Sequence, residues 1–148
     1  MNAKHYVSLE VAKILEEKGY NEETEYAIDK NSEIYQERRT NQYLSWAWQC
    51  PSLLEAMDWL EKRGIHIEIR MMHCKVKGDP YKIADDDEYQ WKWYFAICKD
   101  DDVKHPIVEE GEDGYVVMYT DRNECMNAAI KKGVEFLLHG STIHKQTN

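Results

Sequence analysis

The chain reads as an α+β domain: an antiparallel sheet, made of an N-terminal hairpin and a three-strand meander, with three helices packed mainly on one face. One observation behind this is residues 50–71, CPSLLEAMDWLEKRGIHIEIRM, which pass from a helical to a strand period through a single glycine. Ser52 and Glu55 have capping-box spacing, Leu53, Ala56, Met57 and Leu60 form one stripe, and Gly64 can take the left-handed position that ends the helix. From Ile65 the apolar residues alternate: Ile65, Ile67, Ile69 and Met71 share one strand face, and His66, Glu68, Arg70 and Met72 the other. A second observation is the alternation of Tyr89, Trp91, Trp93, Phe95 and Ile97 against Gln90, Lys92, Tyr94, Ala96 and Cys98. The third is element order, which lacks the regular strand–helix alternation of a parallel sheet.

Taken in order, Ser8 caps a first helix whose stripe is Val11, Ile14 and Leu15, with Val7 before it and Gly19 as its stop. Residues 25–36 read as a hairpin, with Tyr26 and Ile28 before the turn-prone Asp29-Lys30-Asn31-Ser32 and Ile34 after it. Residues 37–49 have no clear period, and their alternating large side chains favour extended chain. Lys77-Gly78-Asp79-Pro80 separates the two long strands, whose antiparallel pairing follows from the short connection. The aromatic face of the second is expected beneath helices. A third meander strand is expected at residues 115–120. Asp121 and Glu124 then open a helix whose Met126, Ala129, Ile130, Gly133, Val134 and Leu137 keep helical spacing up to Gly140, with residues 141–148 read as a disordered tail.

A length of 148 residues fits one domain spanning 1–148, and nothing in it reads as a repeat, a linker or a low-complexity segment. The 43% hydrophobic content with five tryptophans and ten tyrosines argues for a packed core. The N-terminal residues lack a long apolar run, and the expected setting is cytoplasmic, with no membrane contact. Cys50, Cys74, Cys98 and Cys125 lack CxxC spacing, which argues for reduced, buried thiols rather than a zinc ribbon or redox pair. Cys74 and Cys98 are candidates for cross-strand neighbours.

The net charge of −9 is concentrated in Asp85-Asp86-Asp87-Glu88 and in residues 100–114, which hold seven acids and one lysine. A protein that binds the phosphate backbone of nucleic acid normally presents a basic face, so this balance disfavours nucleic acid as a partner. Neither acidic run has EF-hand spacing, and strand arithmetic of ~3.3 Å per residue puts them about 30 Å apart. They read as solvated loops, with no metal or cofactor expected. His66 and His73 fall on opposite strand faces, and no G-x-S-x-G elbow or phosphate-binding glycine motif occurs, so no catalytic residue is assigned.

Tyr43, Trp46 and Trp48 are the candidate binding residues. They make either an exposed recognition patch, since aromatics anchor interfaces, or a lid over the core.

The segments YVSLEVAKILEEKGY, CPSLLEAMDWLEKRGIHIEI, WKWYFAI and YTDRNECMNAAIKKGVEFLL together resemble small uncharacterised proteins of prophages and mobile elements of gut Bacteroidales. The most specific part is Cys50-Pro51-Ser52 opening a helix with Trp59-Leu60, followed by Gly64 and an isoleucine-rich strand. These motifs are structural, so the resemblance implies fold and setting without a reaction. The expected function is a non-enzymatic accessory or protein-interaction domain, binding a protein partner or a further copy of itself. An enzyme with an unrecognised site, or an acidic mimic of nucleic acid, are the alternatives.

Overall fold

A computed structural model describes residues 2–39 and 46–147. Its elements are α1 (Leu9–Glu17), β1 (Thr24–Asp29), β2 (Ile34–Arg39), β3 (Ala47–Gln49), α2 (Leu53–Glu61), β4 (Ile65–Lys77), β5 (Glu88–Lys99), β6 (Asp102–Val108) and α3 (Arg122–Thr147). They form an α+β fold with two three-stranded antiparallel sheets, in strand orders β2-β1-β3 and β4-β5-β6.

The local signals act where the sequence places them. The Ser8 hydroxyl accepts from the Val11 amide, and Ser52 and Glu55 close a reciprocal capping box. Asp121 accepts from the Asn123 and Glu124 amides at the start of α3. Gly64, at φ +82°, carries the chain from α2 into β4 in a backbone region that other residues enter only with strain. In the β1–β2 turn the Asp29 carboxylate accepts from the Asn31 and Glu33 amides and the Tyr35 hydroxyl. Burial works against its ionisation, but these bonds outweigh it and hold the group below the usual carboxylate range.

The core joins both sheets to the helices. Val7, Val11 and Leu15 meet Leu53, Ala56, Trp59 and Leu60, and these meet Ile65, Phe95 and Ile97 beneath Cys125, Ala129, Ile130 and Val134 of α3. Trp59, outside the expected α2 stripe, is buried against Tyr20, with the Arg63 guanidinium 3.7 Å from its ring centre. Gly133 permits close approach of α3, since a Cβ there would stand 3.2 Å from Ile65 Cγ2 and Leu60 Cδ1.

Two boundaries differ from expectation. The third meander strand is β6, Asp102–Val108, because Asp100 and Asp101 form a two-residue turn that reverses the chain at once. Residues 115–120 contribute only bridges, Trp93 with Tyr119 and Glu110 with Val116. The α3 backbone also continues past Gly140 to Thr147, where the sequence reading ends the helix and begins a tail.

Candidate functional site

The β4–β5 ribbon outruns the helices that cover its base. Ile65, Phe95 and Ile97 are fully buried, whereas further along the same face Met71 is 57% and Trp91 54% exposed. The expectation that helices cover the whole aromatic face is therefore correct only for its Phe95–Ile97 end. Trp93 lies half-buried between the two regimes, its amide donating to Tyr119 O at 2.8 Å and its carbonyl accepting from Tyr119 N at 2.7 Å. Beyond it the ribbon is two-stranded, and Met71, Trp91 and Tyr89 are exposed along it; across the pair Met71 faces Trp93, His73 faces Trp91 and Lys75 faces Tyr89. His73 stacks on Trp91 at 4.7 Å between ring centres. These contacts cover the faces of the aromatics only in part.

At the end of this arm the connecting loop, residues 78–87, is built around one lysine. Lys75 Nζ pairs with Asp87 Oδ2 at 2.9 Å and donates to the carbonyls of Asp79, at 2.7 Å, and of Lys82. All three ammonium protons thus have acceptors. Asp87 Oδ2 also accepts from the Ala84 amide at 2.8 Å, and Asp79 accepts from the Tyr81 amide. The Asp87 side chain is only 3% exposed. The Ala84 amide and the Lys75 ammonium hold its carboxyl below the usual range, and Asp87 in turn raises Lys75. Gly78, at φ +113°, leaves the space: a Cβ there would lie 2.0 Å from Asp87 Oδ1.

The consequence is an inverted loop. The Asp87 carboxylate and the Asp79 and Lys82 carbonyls turn inward onto Lys75, and Tyr81 and Ile83 project at 92% and 95% exposure. One of the four acids read as a solvated run, Asp87, is therefore an internal brace, while Asp85, Asp86 and Glu88 are exposed. Sequence reasoning missed this site. The signal was present as Tyr81 and Ile83, two large apolar residues inside a stretch too rich in turn formers and acids to bury them.

Of the expected binding patch, Tyr43 lies outside the described residues. Trp46 is exposed with its ring edge-to-face against Tyr35 at 5.4 Å, whereas Trp48 packs half-buried against the core beneath the Lys13 ammonium, 4.9 Å from its ring. These two tryptophans thus divide between the open alternatives, one outward and one as part of the lid.

The thiols are all free: Cys50 and Cys125 are buried, Cys74 and Cys98 half-buried. The latter two are not cross-strand neighbours, since Cys74 faces Gln90 and Cys98 faces His66. Burial pushes the Cys50 and Cys125 thiols up to about 12, which suppresses the nucleophilic thiolate. His66 pairs with Asp100 at 2.6 Å and His105 with Asp102 at 2.7 Å, both on the surface. Among the described residues no three His, Cys, Asp or Glu side chains gather as a metal site, and no helix is long and apolar enough to cross a membrane.

An open groove of about 370 Å³ lies between α1 and α3, with Glu10, Glu109, Tyr119, Asn127 and Lys131 in its walls. Its groups engage one another. Lys131 pairs with Glu10 at 2.6 Å, the Tyr119 hydroxyl donates to Glu109, and Asn127 Oδ1 accepts from the Ser8 amide at 2.8 Å. Burial, with Glu109 second, raises the Tyr119 phenol, so it does not serve as a base near neutral pH. No protein-family model, curated protein or solved structure matches the chain.

Proposed function

We propose that the chain is a non-enzymatic protein-interaction domain, from the phage or mobile-element setting its resemblance implies, that engages a partner through the end of the β4–β5 arm. The carrying observation is the pair Tyr81 and Ile83, held 92% and 95% exposed on a loop braced from within by Lys75, Asp87 and two backbone carbonyls. A solvated turn has no need of this arrangement. Presenting rigid apolar anchors lowers the ordering cost of association, which is how a small contact gains affinity. Asp79, Asp85 and Asp86 flank the anchors in sequence and outnumber Lys82 between them, while Glu88 pairs with Lys77 at 3.6 Å, so the complementary surface is an apolar pocket with a net basic rim.

The test compares the wild-type chain with the double variant Tyr81→Ser/Ile83→Ser as baits. Proteins recovered by the first and not the second are identified, purified and titrated against both. Binding weakened by about tenfold or more in the variant, with unchanged thermal unfolding, supports the assignment. Equal affinity for both baits overturns it.

A further inference from the structure

The outer edge of β4 has no partner strand among the described residues, because its sheet ends there in the order β4-β5-β6. Which residues offer backbone groups to that edge follows from the register. The Asp100 amide donates to Gly64 O at 3.0 Å, and Gly64 is in register with Ile65 opposite Lys99, so the even-numbered residues from His66 to Cys74 exchange their hydrogen bonds with β5. Trp93 gives an independent check. It spends both backbone groups on Tyr119, on the far side of β5, and it lies opposite Met71. The amides and carbonyls of Ile67, Ile69 and Met71 therefore point out of the sheet. None of them makes a hydrogen bond to any loop or other element among the described residues.

Edges of this length are usually blunted by prolines, bulges or unmatched charges. Over residues 65–74, β4 has neither proline nor bulge, and its charges, Glu68 and Arg70, lie on one strand face in a 3.0 Å ion pair. That pair selects a register for self-association. In an antiparallel pairing about a two-fold axis at Arg70 or at Glu68, like charges stand directly opposite, which is destabilising. Centring at Met71 sets Arg70 against Met72. With the axis at Ile69, Glu68 of each copy faces Arg70 of the other, Ile67 faces Met71 and Ile69 faces itself. Glu68 and Arg70 would then occupy non-hydrogen-bonded positions, where opposed side chains approach most closely, while the outward groups of Ile67, Ile69 and Met71 bond across the axis.

We propose that two copies of the chain pair antiparallel along β4, centred on Ile69, joining their two three-stranded sheets into one. The join is isologous, so it closes at the dimer and pairs the two β4 edges over residues 65–73. It joins the arm's two-stranded portion, over its proximal half, to the three-stranded base of the other copy's sheet, whereas an isolated ribbon is only marginally stable in water. The surface is a strand edge, separate from the loop carrying Tyr81 and Ile83, and the inference does not depend on the function proposed above.

Sedimentation equilibrium of the full chain from micromolar to about 100 μM tests this, with thermal unfolding followed for every variant. The wild type is expected to be dimeric. Arg70→Glu sets like charges against each other twice per dimer and should weaken association by about tenfold or more, and Glu68→Arg should do the same. The charge-swapped double variant Glu68→Arg/Arg70→Glu restores both opposite-sign contacts and should recover the dimer. Tyr81→Ser/Ile83→Ser should leave it intact. A wild type that stays monomeric throughout the range, single variants that dimerise like the wild type, a swap that fails to recover, or a dimer lost in the loop variant would each overturn the proposal.

Discussion

The two halves of the β4–β5 ribbon carry the same alternation and opposite environments. Over residues 65–69 and 95–97, the core-side face is covered by α2 and α3 and holds Phe95 and Ile97 in the centre of the molecule. From Met71 and Trp91 outward the same face, with residues at least as large, meets solvent. Strand periodicity identifies which residues share a face, but a face is buried only if another element reaches it. Here the helices reach the base alone, and the uncovered half is finished by a loop braced from within by Lys75.

The largest expected effect measures that contrast directly. Phe95→Ala should cost about 3–5 kcal/mol in chemical denaturation, since it leaves a cavity in a closed core, while Trp91→Ala, on the same face four residues away, should cost less than about 1 kcal/mol. Trp93→Ala should fall between them. Equal losses for Phe95 and Trp91 would mean that the arm is covered in solution.

Gly78→Ala should act on the arm without acting on the base. The positive φ and the contact with Asp87 Oδ1 predict a local penalty of about 1–3 kcal/mol. It should be seen as faster hydrogen exchange at Ala84 and Asp87, with protection of Ile97 and Ile130 unchanged. Loss of protection in the core as well would show that the loop and base unfold as one unit.

A pH series sharpens the same distinction. Asp87 has a depressed folded-state pKa, so its stabilisation of the loop is complete above the ordinary carboxylate value of about 3.9 and is lost as pH falls through the lower folded value. Exchange at the Ala84 amide should accelerate over that acid window. Asp87→Asn should remove the pH dependence and leave the loop opened at neutral pH too; persistence of the same acid transition in that variant would reassign it to another group.

The smallest effect is expected at the β5–β6 turn. Asp100, Asp101 and Asp102 are exposed, with only surface contacts to His66 and His105, and replacing all three by asparagine should change stability by no more than about 0.5 kcal/mol. A loss of several kcal/mol would make this turn a structural element comparable to the braced loop.

By itself the sequence determined the features that depend on neighbours along the chain. The Ser52–Glu55 box, the Asp29 turn, the Gly64 reversal and the antiparallel pairing of β4 with β5 all rest on spacings of a few residues, whose physics is local. Tertiary structure alone decided what depends on distance through space. It placed Asp87 twelve residues from Lys75 yet in contact with it, divided Trp46 from Trp48, and substituted β6 for residues 115–120 as the third meander strand. It also set the point along one alternating face where burial stops, because coverage depends on where the helices pack and no period in the strand records that.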